Sequence, residues 1–272
     1  MNMNFELESL VQIIREAGDA VLAVYQNQYT HTLKKDLSPL TEADTASNRI
    51  LLEGLSRVAP RIPVMSEEGE EIPYNERKNW DYYFLIDPLD GTKEFIEKRP
   101  EFTVNIALIH QNSPIIGLIH LPTNGLTYVA ERGAGAYRIN GKRDRLPLNQ
   151  NYEARVNVVM SRRDSSEELK HILPELPQFE VQNMGSSLKF CLVAEGVSDF
   201  YPRMKPSMEW DTAAGTVIVE ESGGAVFELS GKPIAYNREN LLNPPFYVLS
   251  KLFPEKVRDW RNLLFPEQAN PG

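Results

Sequence analysis

Between Trp80 and Phe95 the chain reads W-D-Y-Y-F-L-I-D-P-L-D-G-T-K-E-F, and this stretch restricts the fold more than any other. Tyr82 to Ile86 form an unbroken aromatic and apolar run that stops at an acid, Asp87. A run this short and bulky predicts a buried strand. A buried strand ending in carboxylates delivers them to the edge of a sheet, where ligands bind in α/β proteins. Pro88 fixes its own φ and drives Asp87 toward extended backbone, so the turn is stiff. Asp87 and Asp90 are thereby held three residues apart. Gly91 permits close backbone approach and can offer N–H groups to an anion. Two hard oxygen ligands beside such a turn suit a divalent cation, such as Mg²⁺, that shares its coordination with a phosphate. A plain surface turn uses the same residue types, so the rest of the chain has to decide.

The chain has 272 residues, enough for one large domain or two intimate subdomains. A net charge of −9 makes it a poor partner for polymeric nucleic acid or an anionic membrane. If its ligand is an anion, something local must reverse the field, and bound cations do that. The single cysteine, Cys191, excludes an intramolecular disulfide and fits a reducing compartment. The start, M-N-M-N-F-E-L-E, lacks the basic and apolar regions of a signal peptide, and no apolar run reaches the ~18 residues of a membrane span. A cytoplasmic location is expected, with peripheral association at the inner membrane as the alternative.

Leu7, Leu10, Val11, Ile14, Ala17, Val21, Leu22 and Tyr25 recur at helical spacing and predict an amphipathic first helix. Lys34, Lys35 and Asp36 lie in a polar connection, and Ser38-Pro39 marks a turn. T-E-A-D at 41–44 reads as a capping box opening a second helix through Val58, which gives Asp44 a structural explanation beside any functional one. Ile62 to Met65 form a second short apolar run ending in acids, Glu67-Glu68. Lys93 to Arg99 predict a short helix. Three strands follow, at 103–110, 114–121 and 126–131, and Asn140-Gly141 is a hairpin signal. Residues 1–150 therefore read as an α+β subdomain built on an antiparallel sheet. His110 and His120 lack metal-ligand spacing, so packing or surface roles are expected of them.

From 151 to 272 strands and helices alternate, an α/β pattern. Strands are expected at 156–160, 178–184, 199–201, 225–229 and 246–249. Helices are expected from Ser165 or Ser166 to Ile172, over 188–194, over 210–221, and over 254–264. Gly185-Ser186-Ser187 opens the second of these and could hold an anion at its N-terminus, or be an ordinary cap. Lys189 follows one turn later. Asp211 falls in the first turn of its helix, where the dipole alone favours an acid.

D-P-L-D-G-T at 87–92 together with W-D-T-A-A-G at 210–215 resembles the signature pair of the inositol monophosphatase superfamily, and Glu67-Glu68 resembles its third element. Within it, G-S-S-L-K-F-C-L-V-A-E-G at 185–196 and D-G-T-K-E-F-I at 90–96 look most like the 3′(2′),5′-bisphosphate nucleotidases of the CysQ type. The resemblance implies a layered αβαβα sandwich and Mg²⁺-dependent removal of the 3′-phosphate from adenosine 3′,5′-bisphosphate. Its sulfated derivative would be a second substrate, and the setting sulfur assimilation or nucleotide recycling. It implies metal ligands at Glu67, Asp87, the backbone carbonyl of Leu89, Asp90 and Asp211, holding two or three ions, with inhibition by Li⁺ and Ca²⁺. It implies a water-activating pair at Asp44 and Thr92, assisted by Glu67, and phosphate contacts from the backbone of Asp90, Gly91 and Thr92. The nucleotide would meet Ser161, Gly185, Ser186 and Lys189, in a monomer or homodimer.

Three other readings compete. An aspartyl-phosphate phosphatase of the haloacid dehalogenase type carries D-x-D-G-T, but aligned on Asp90-Gly91-Thr92 its nucleophile falls on Pro88, which cannot serve. A non-catalytic binder of phosphorylated metabolites would have no reason to keep the full ligand set with Asp44 and Thr92. An inositol or fructose bisphosphate phosphatase of the same superfamily stays open, because fold does not fix substrate.

Overall fold

The computed structural model describes residues 6–27, 31–33, 39–151, 153–162, 164 and 166–265. The polar connection at Lys34, Lys35 and Asp36, and also Ser38 and Ser165, lie outside the described residues. Helices α1 (Leu7–Gln26) and α2 (Glu42–Val58) pack on each other and flank a short antiparallel pair, β1 (His31–Leu33) and β2 (Pro39–Thr41). Then come β3 (Val64–Ser66), α3 (Tyr74–Arg77), β4 (Tyr82–Asp90), α4 (Thr92–Ile96), β5 (Thr103–His110), β6 (Ser113–Leu121), β7 (Leu126–Glu131), β8 (Gly135–Asn140) and β9 (Lys142–Arg145). Strands β3 to β9 form one seven-stranded sheet in sequence order.

The remaining elements are β10 (Val156–Met160), α5 (Glu167–Ile172), β11 (Phe179–Asn183), α6 (Leu188–Glu195), β12 (Phe200–Arg203), β13 (Ser207–Met208), α7 (Glu209–Glu221), β14 (Ala225–Glu228), β15 (Leu242–Asn243), β16 (Phe246–Leu249), α8 (Phe253–Lys256) and α9 (Trp260–Leu264). They supply a five-stranded sheet ordered β11-β10-β12-β16-β14, and a separate β13–β15 pair.

Three apolar clusters define the layers. One face of the first sheet packs on α1 and α2 through Ile14, Leu51, Phe84, Ile106 and Leu118. Its other face meets α6, α7 and the second sheet through Leu85, Ile119, Phe190, Val217 and Val248. The outer face of the second sheet is covered by α5, α8 and α9 through Val158, Leu169, Phe200, Phe253 and Leu264. The result is the expected αβαβα sandwich. Helix α7 is the central beam. Its small residues let it lie against β6, where a Cβ on Gly117 would stand 2.4 Å from the Ala214 carbonyl.

Several elements differ from the expectation. The strand does not end with the apolar run at Asp87: β4 continues to Asp90, and its pairing with β5 shifts between Asp87↔Asn105 and Asp90↔Thr103. Four residues on β4 thus span three on β5, a bulge at Pro88, which has no N–H to give the ladder. The first sheet is not wholly antiparallel, because β3 runs parallel to β4. In the second sheet β16 alone runs antiparallel, to both its neighbours β12 and β14, while β11, β10 and β12 are mutually parallel. The short helix after the central turn starts at Thr92 and ends at Ile96. The last helix is broken in two. Val257 adopts extended backbone (φ −123°, ψ 90°), and a new turn begins at Trp260, which stacks on Phe227. Burial of Lys256 holds the break, since its ammonium reaches Asp199 at 2.8 Å beneath the helix.

Candidate active site

The bulge of β4 is the scaffold of the site. Asp87 is 1% exposed and its Oδ1 accepts the Leu89 N–H at 3.0 Å, an Asx-type turn that shapes the bulge. Ser47 of α2 braces the same turn by donating to the Pro88 carbonyl at 2.7 Å. Gly91 follows at φ +91°, where a Cβ would stand 2.9 Å from the Glu101 carbonyl, so neither the backbone nor the space admits a side chain.

Asp211 comes from the second half of the chain, on the first turn of α7, and its Oδ2 accepts the Met208 N–H at 2.8 Å. One carboxylate oxygen each from Asp87, Asp90 and Asp211 lie within 4.8 Å of one another. Glu67 stands outside this tightest group but lines the same cavity of about 390 Å³, together with Leu89, Gly91 and Thr92. Three like charges so close cannot all ionise comfortably. Burial first, then the carboxylates of Glu67, Asp90 and Asp211, push the Asp87 carboxyl well above the usual range. Asp211 is pushed well up by burial and by Asp90 and Glu67. Burial also raises Asp90, against the pull of Lys189 and the Ser187 N–H. Asp87 Oδ2 is buried and has no hydrogen-bond partner in the protein among the described residues. An orphaned buried carboxylate oxygen facing two more carboxylates is the donor set a hard divalent cation requires.

The two readings of Asp44 coexist on its two oxygens. Oδ2 closes the capping box, accepting the Thr41 N–H at 2.7 Å and the Thr41 hydroxyl at 2.6 Å. Oδ1 lies 3.5 Å from the Thr92 hydroxyl. Thr92 also reaches the Leu89 carbonyl at 3.1 Å. The structure thus brings Asp44, Thr92 and the acid cluster together from three elements far apart in sequence.

A second cavity, of about 450 Å³, adjoins the first and shares Asp90, Gly91 and Asp211 with it. Ser161, Gly185, Ser186 and Lys189 all line it. Their hydrogen bonds, however, are largely committed within the protein. The Gly185 N–H donates to Glu101 at 2.8 Å, the Ser187 N–H to Asp90, and the Leu188 N–H to Ser186 Oγ at 3.3 Å. The anion at this helix start is therefore the protein's own Asp90, which speaks against the anion-site alternative of the two the sequence left open. Lys189 is 3% exposed. It donates to the carbonyls of Ser186 (2.6 Å) and Met184 (3.4 Å), and burial, partly offset by Asp90, lowers it to about 8. It remains mostly charged at neutral pH and anchors the loop beside Asp90.

Four further cations line this cavity: Lys93, Arg162, Arg203 and Lys205. Arg203 spans Ser161 Oγ and the carbonyls of Lys205 and Pro206, and Arg162 forks onto Glu101. Sequence reasoning missed all four. The signal lay in Y-P-R-M-K at 201–205, two cations just after a short extended run in an acidic chain. His110 stacks on Tyr82 at 4.4 Å and pairs with Asp81 at 3.3 Å, while His120 is buried against Gly18 and Thr127. Neither reaches the site.

The family model described as the inositol monophosphatase family matches residues 4–260. The 3′(2′),5′-bisphosphate nucleotidase CysQ of Salmonella typhimurium is 43% identical over 246 residues, 89% of this chain and 98% of that protein. The protein of the same name from Escherichia coli K12 is 42% identical over the same shares. Among solved structures, CysQ from Bacteroides thetaiotaomicron, a bacterial member of the inositol monophosphatase family, superposes with a TM-score of 0.82. That pair is 36% identical and covers 92% of this chain and 99% of the other.

Proposed function

The chain belongs to the inositol monophosphatase family, and from that premise we propose that it is a metal-dependent phosphomonoesterase that removes the 3′-phosphate from adenosine 3′,5′-bisphosphate. The sulfated derivative of that nucleotide is a second substrate on this reading, and sulfur assimilation or nucleotide recycling its setting. Relatives named as 3′(2′),5′-bisphosphate nucleotidases support the substrate class, at 42–44% identity over 89% of the chain. The observation that carries the reading is the pair of adjoining cavities. Glu67 and Asp87 line only the first, Arg162, Lys189, Arg203 and Lys205 only the second, and Asp90, Lys93, Glu94 and Asp211 stand on the boundary. A molecule with one phosphate at the acids and a second anionic group elsewhere on the same scaffold matches that division of charge.

Glu67, Asp87, the Leu89 carbonyl, Asp90 and Asp211 would hold the cations, which we take to be two or three Mg²⁺ with Li⁺ and Ca²⁺ as inhibitors. Bound there, such ions neutralise the phosphate and acidify the attacking water. The protein's part is to place the proton. The Thr92 hydroxyl has one proton and two lone pairs. It can take a proton from water in the cavity it lines while its own passes to Asp44 Oδ1, 3.5 Å away. Asp44 is held for this by its capping box, which fixes Oδ2 and leaves Oδ1 toward Thr92. No side chain has to act as a covalent nucleophile. The enzyme works in the cytoplasm on this reading, as a monomer or homodimer. Among the described residues no helix is long and apolar enough to cross a membrane.

A phosphate-release panel with Mg²⁺ tests the proposal. It compares adenosine 3′,5′-bisphosphate, its sulfated derivative, inositol monophosphate and fructose bisphosphate. The nucleotide is expected to have the highest kcat/KM. A higher value for inositol monophosphate or fructose bisphosphate overturns the substrate reading, and no release from any of the four overturns the enzymatic one.

A further inference from the structure

Asp211 differs from Asp87 and Asp90 in how it is held. The latter two sit on one bulge, whereas Asp211 depends on where α7 begins. The start of α7 is fixed by a buried polar chain that runs through a loop remote in sequence. Asn243, 5% exposed, donates from Nδ2 to the Met208 carbonyl at 2.6 Å, to Thr212 Oγ1 at 3.1 Å and to Ser207 Oγ at 3.2 Å. Met208 is the residue whose N–H binds Asp211 Oδ2. Asn243 Oδ1 in turn accepts from Arg238 Nη2 at 3.0 Å, and the same nitrogen donates to the Leu242 carbonyl at 2.7 Å. Arg238 Nε reaches Glu209 Oε1 at 3.3 Å. Glu209 is fully buried and also accepts the N–H groups of Asn237 (2.8 Å) and Arg238 (3.0 Å). The circuit closes on α7 itself, because Glu209 is its first residue and donates its own N–H to the Leu241 carbonyl at 3.0 Å.

A buried carboxylate with three donors and a buried amide with four partners are costly to assemble and rigid once satisfied. The fold has apolar alternatives for joining a loop to a helix start, so the placement of this network under Asp211 calls for a reason. Asp211 must be kept facing two carboxylates that repel it, and a helix start free to rotate would relieve that repulsion. We propose that Asn243 and Arg238, tied to Glu209, are positioning residues that hold Asp211 in the acid cluster. This inference rests on the reading of that cluster as a metal site. Outer partners that orient metal ligands cost typically 10–100-fold in affinity when removed.

The test is direct binding of Mn²⁺, an EPR-visible divalent probe, to the full chain, with thermal unfolding measured in parallel. Asn243→Asp keeps the shape and loses the amide donor. Arg238→Gln changes a partly exposed guanidinium and is the milder variant, should the first fold poorly. Glu195→Gln is the control for loss of a buried polar network, since Glu195 accepts from Tyr128 and Arg138 at the opposite end of α6. Asn243→Asp and Arg238→Gln are expected to weaken Mn²⁺ binding roughly 10–100-fold, while Glu195→Gln lowers the melting temperature and leaves Mn²⁺ affinity unchanged. Wild-type affinity in both Asn243→Asp and Arg238→Gln, alongside lost affinity in Asp211→Asn, overturns the positioning role alone. Wild-type affinity in Asp211→Asn overturns the metal reading and the positioning role with it.

Discussion

Asp87→Asn separates the charge of the site from its shape. The variant keeps Oδ1, so the Leu89 N–H bond at 3.0 Å and the bulge built on it survive. What disappears is a carboxyl whose buried Oδ2 has no hydrogen-bond partner among the described residues and whose charge Glu67, Asp90 and Asp211 all oppose. Folding raises this carboxyl above its unfolded value. Its contribution to stability is therefore full at pH below the unfolded pKa and is lost as pH climbs through the folded one. Each unit of that elevation is about 1.4 kcal/mol. Without metal, the variant should melt higher than wild type at pH 7, and the gap should close as the pH is lowered toward 4. Mg²⁺ should reverse the order. At a hundred times its dissociation constant a ligand adds about 2.7 kcal/mol. At roughly 2–4 °C per kcal/mol for a chain of this size, that is a wild-type shift of roughly 5–10 °C. The variant should shift by less than about 2 °C on the same scale. Calorimetry at pH 7 and pH 5, with EDTA and with Mg²⁺, measures all of this. A variant that melts lower without metal and keeps the full Mg²⁺ shift would refute the reasoning and reduce Asp87 to a turn former.

Thr92→Ala should lower kcat by roughly 10²–10⁴-fold with little change in Mg²⁺ affinity, as expected for loss of a proton acceptor. Asp44→Asn should match it and the double variant should be no worse, whereas Thr92→Ser keeps much of the rate. Independent multiplication of the two effects would leave Asp44 with its capping box alone. His120 should make stability depend on acid. Burial, with help from Arg15, depresses it to about 4, so the unfolded chain protonates first and stability falls as pH drops from 6.5 to about 4. That loss is up to about 3 kcal/mol, and denaturant titrations of His120→Gln should show it missing; an unchanged slope refutes the assignment. Ca²⁺ should bind in place of Mg²⁺ and stop turnover, since its larger radius and looser geometry do not align the water. Full activity in Ca²⁺ would mean the site has no strict geometry.

What could be read from the sequence was what neighbouring residues decide. The strand at 82–86, the stiff turn at Pro88 and the capping box at Thr41 all follow from side chains within a few positions of one another. So does the Asn140-Gly141 hairpin. The acids were therefore legible as candidates, and Asp44 was legible as two alternatives. Only the fold shows that these fall on different oxygens of one carboxylate. What could not be read depends on long-range partners. The Ser187 N–H that meets Asp90 is 97 residues away, and it turns an apparently open helix start into a socket for the protein's own acid. Arg203 and Arg162 look like ordinary surface cations until the second sheet folds them over the cavity. The break at Val257 depends on Lys256 finding Asp199, 57 residues earlier. No helix propensity in 254–264 announces that contact.

The most direct test of the account is the identity of the product formed from adenosine 3′,5′-bisphosphate. Chromatography of the reaction should show adenosine 5′-monophosphate appearing one-to-one with inorganic phosphate. Turnover should be abolished by EDTA, restored by Mg²⁺, and absent in Asp90→Asn, whose fold persists. Formation of adenosine 3′-monophosphate, or phosphate release that survives EDTA or the loss of the Asp90 charge, would contradict it.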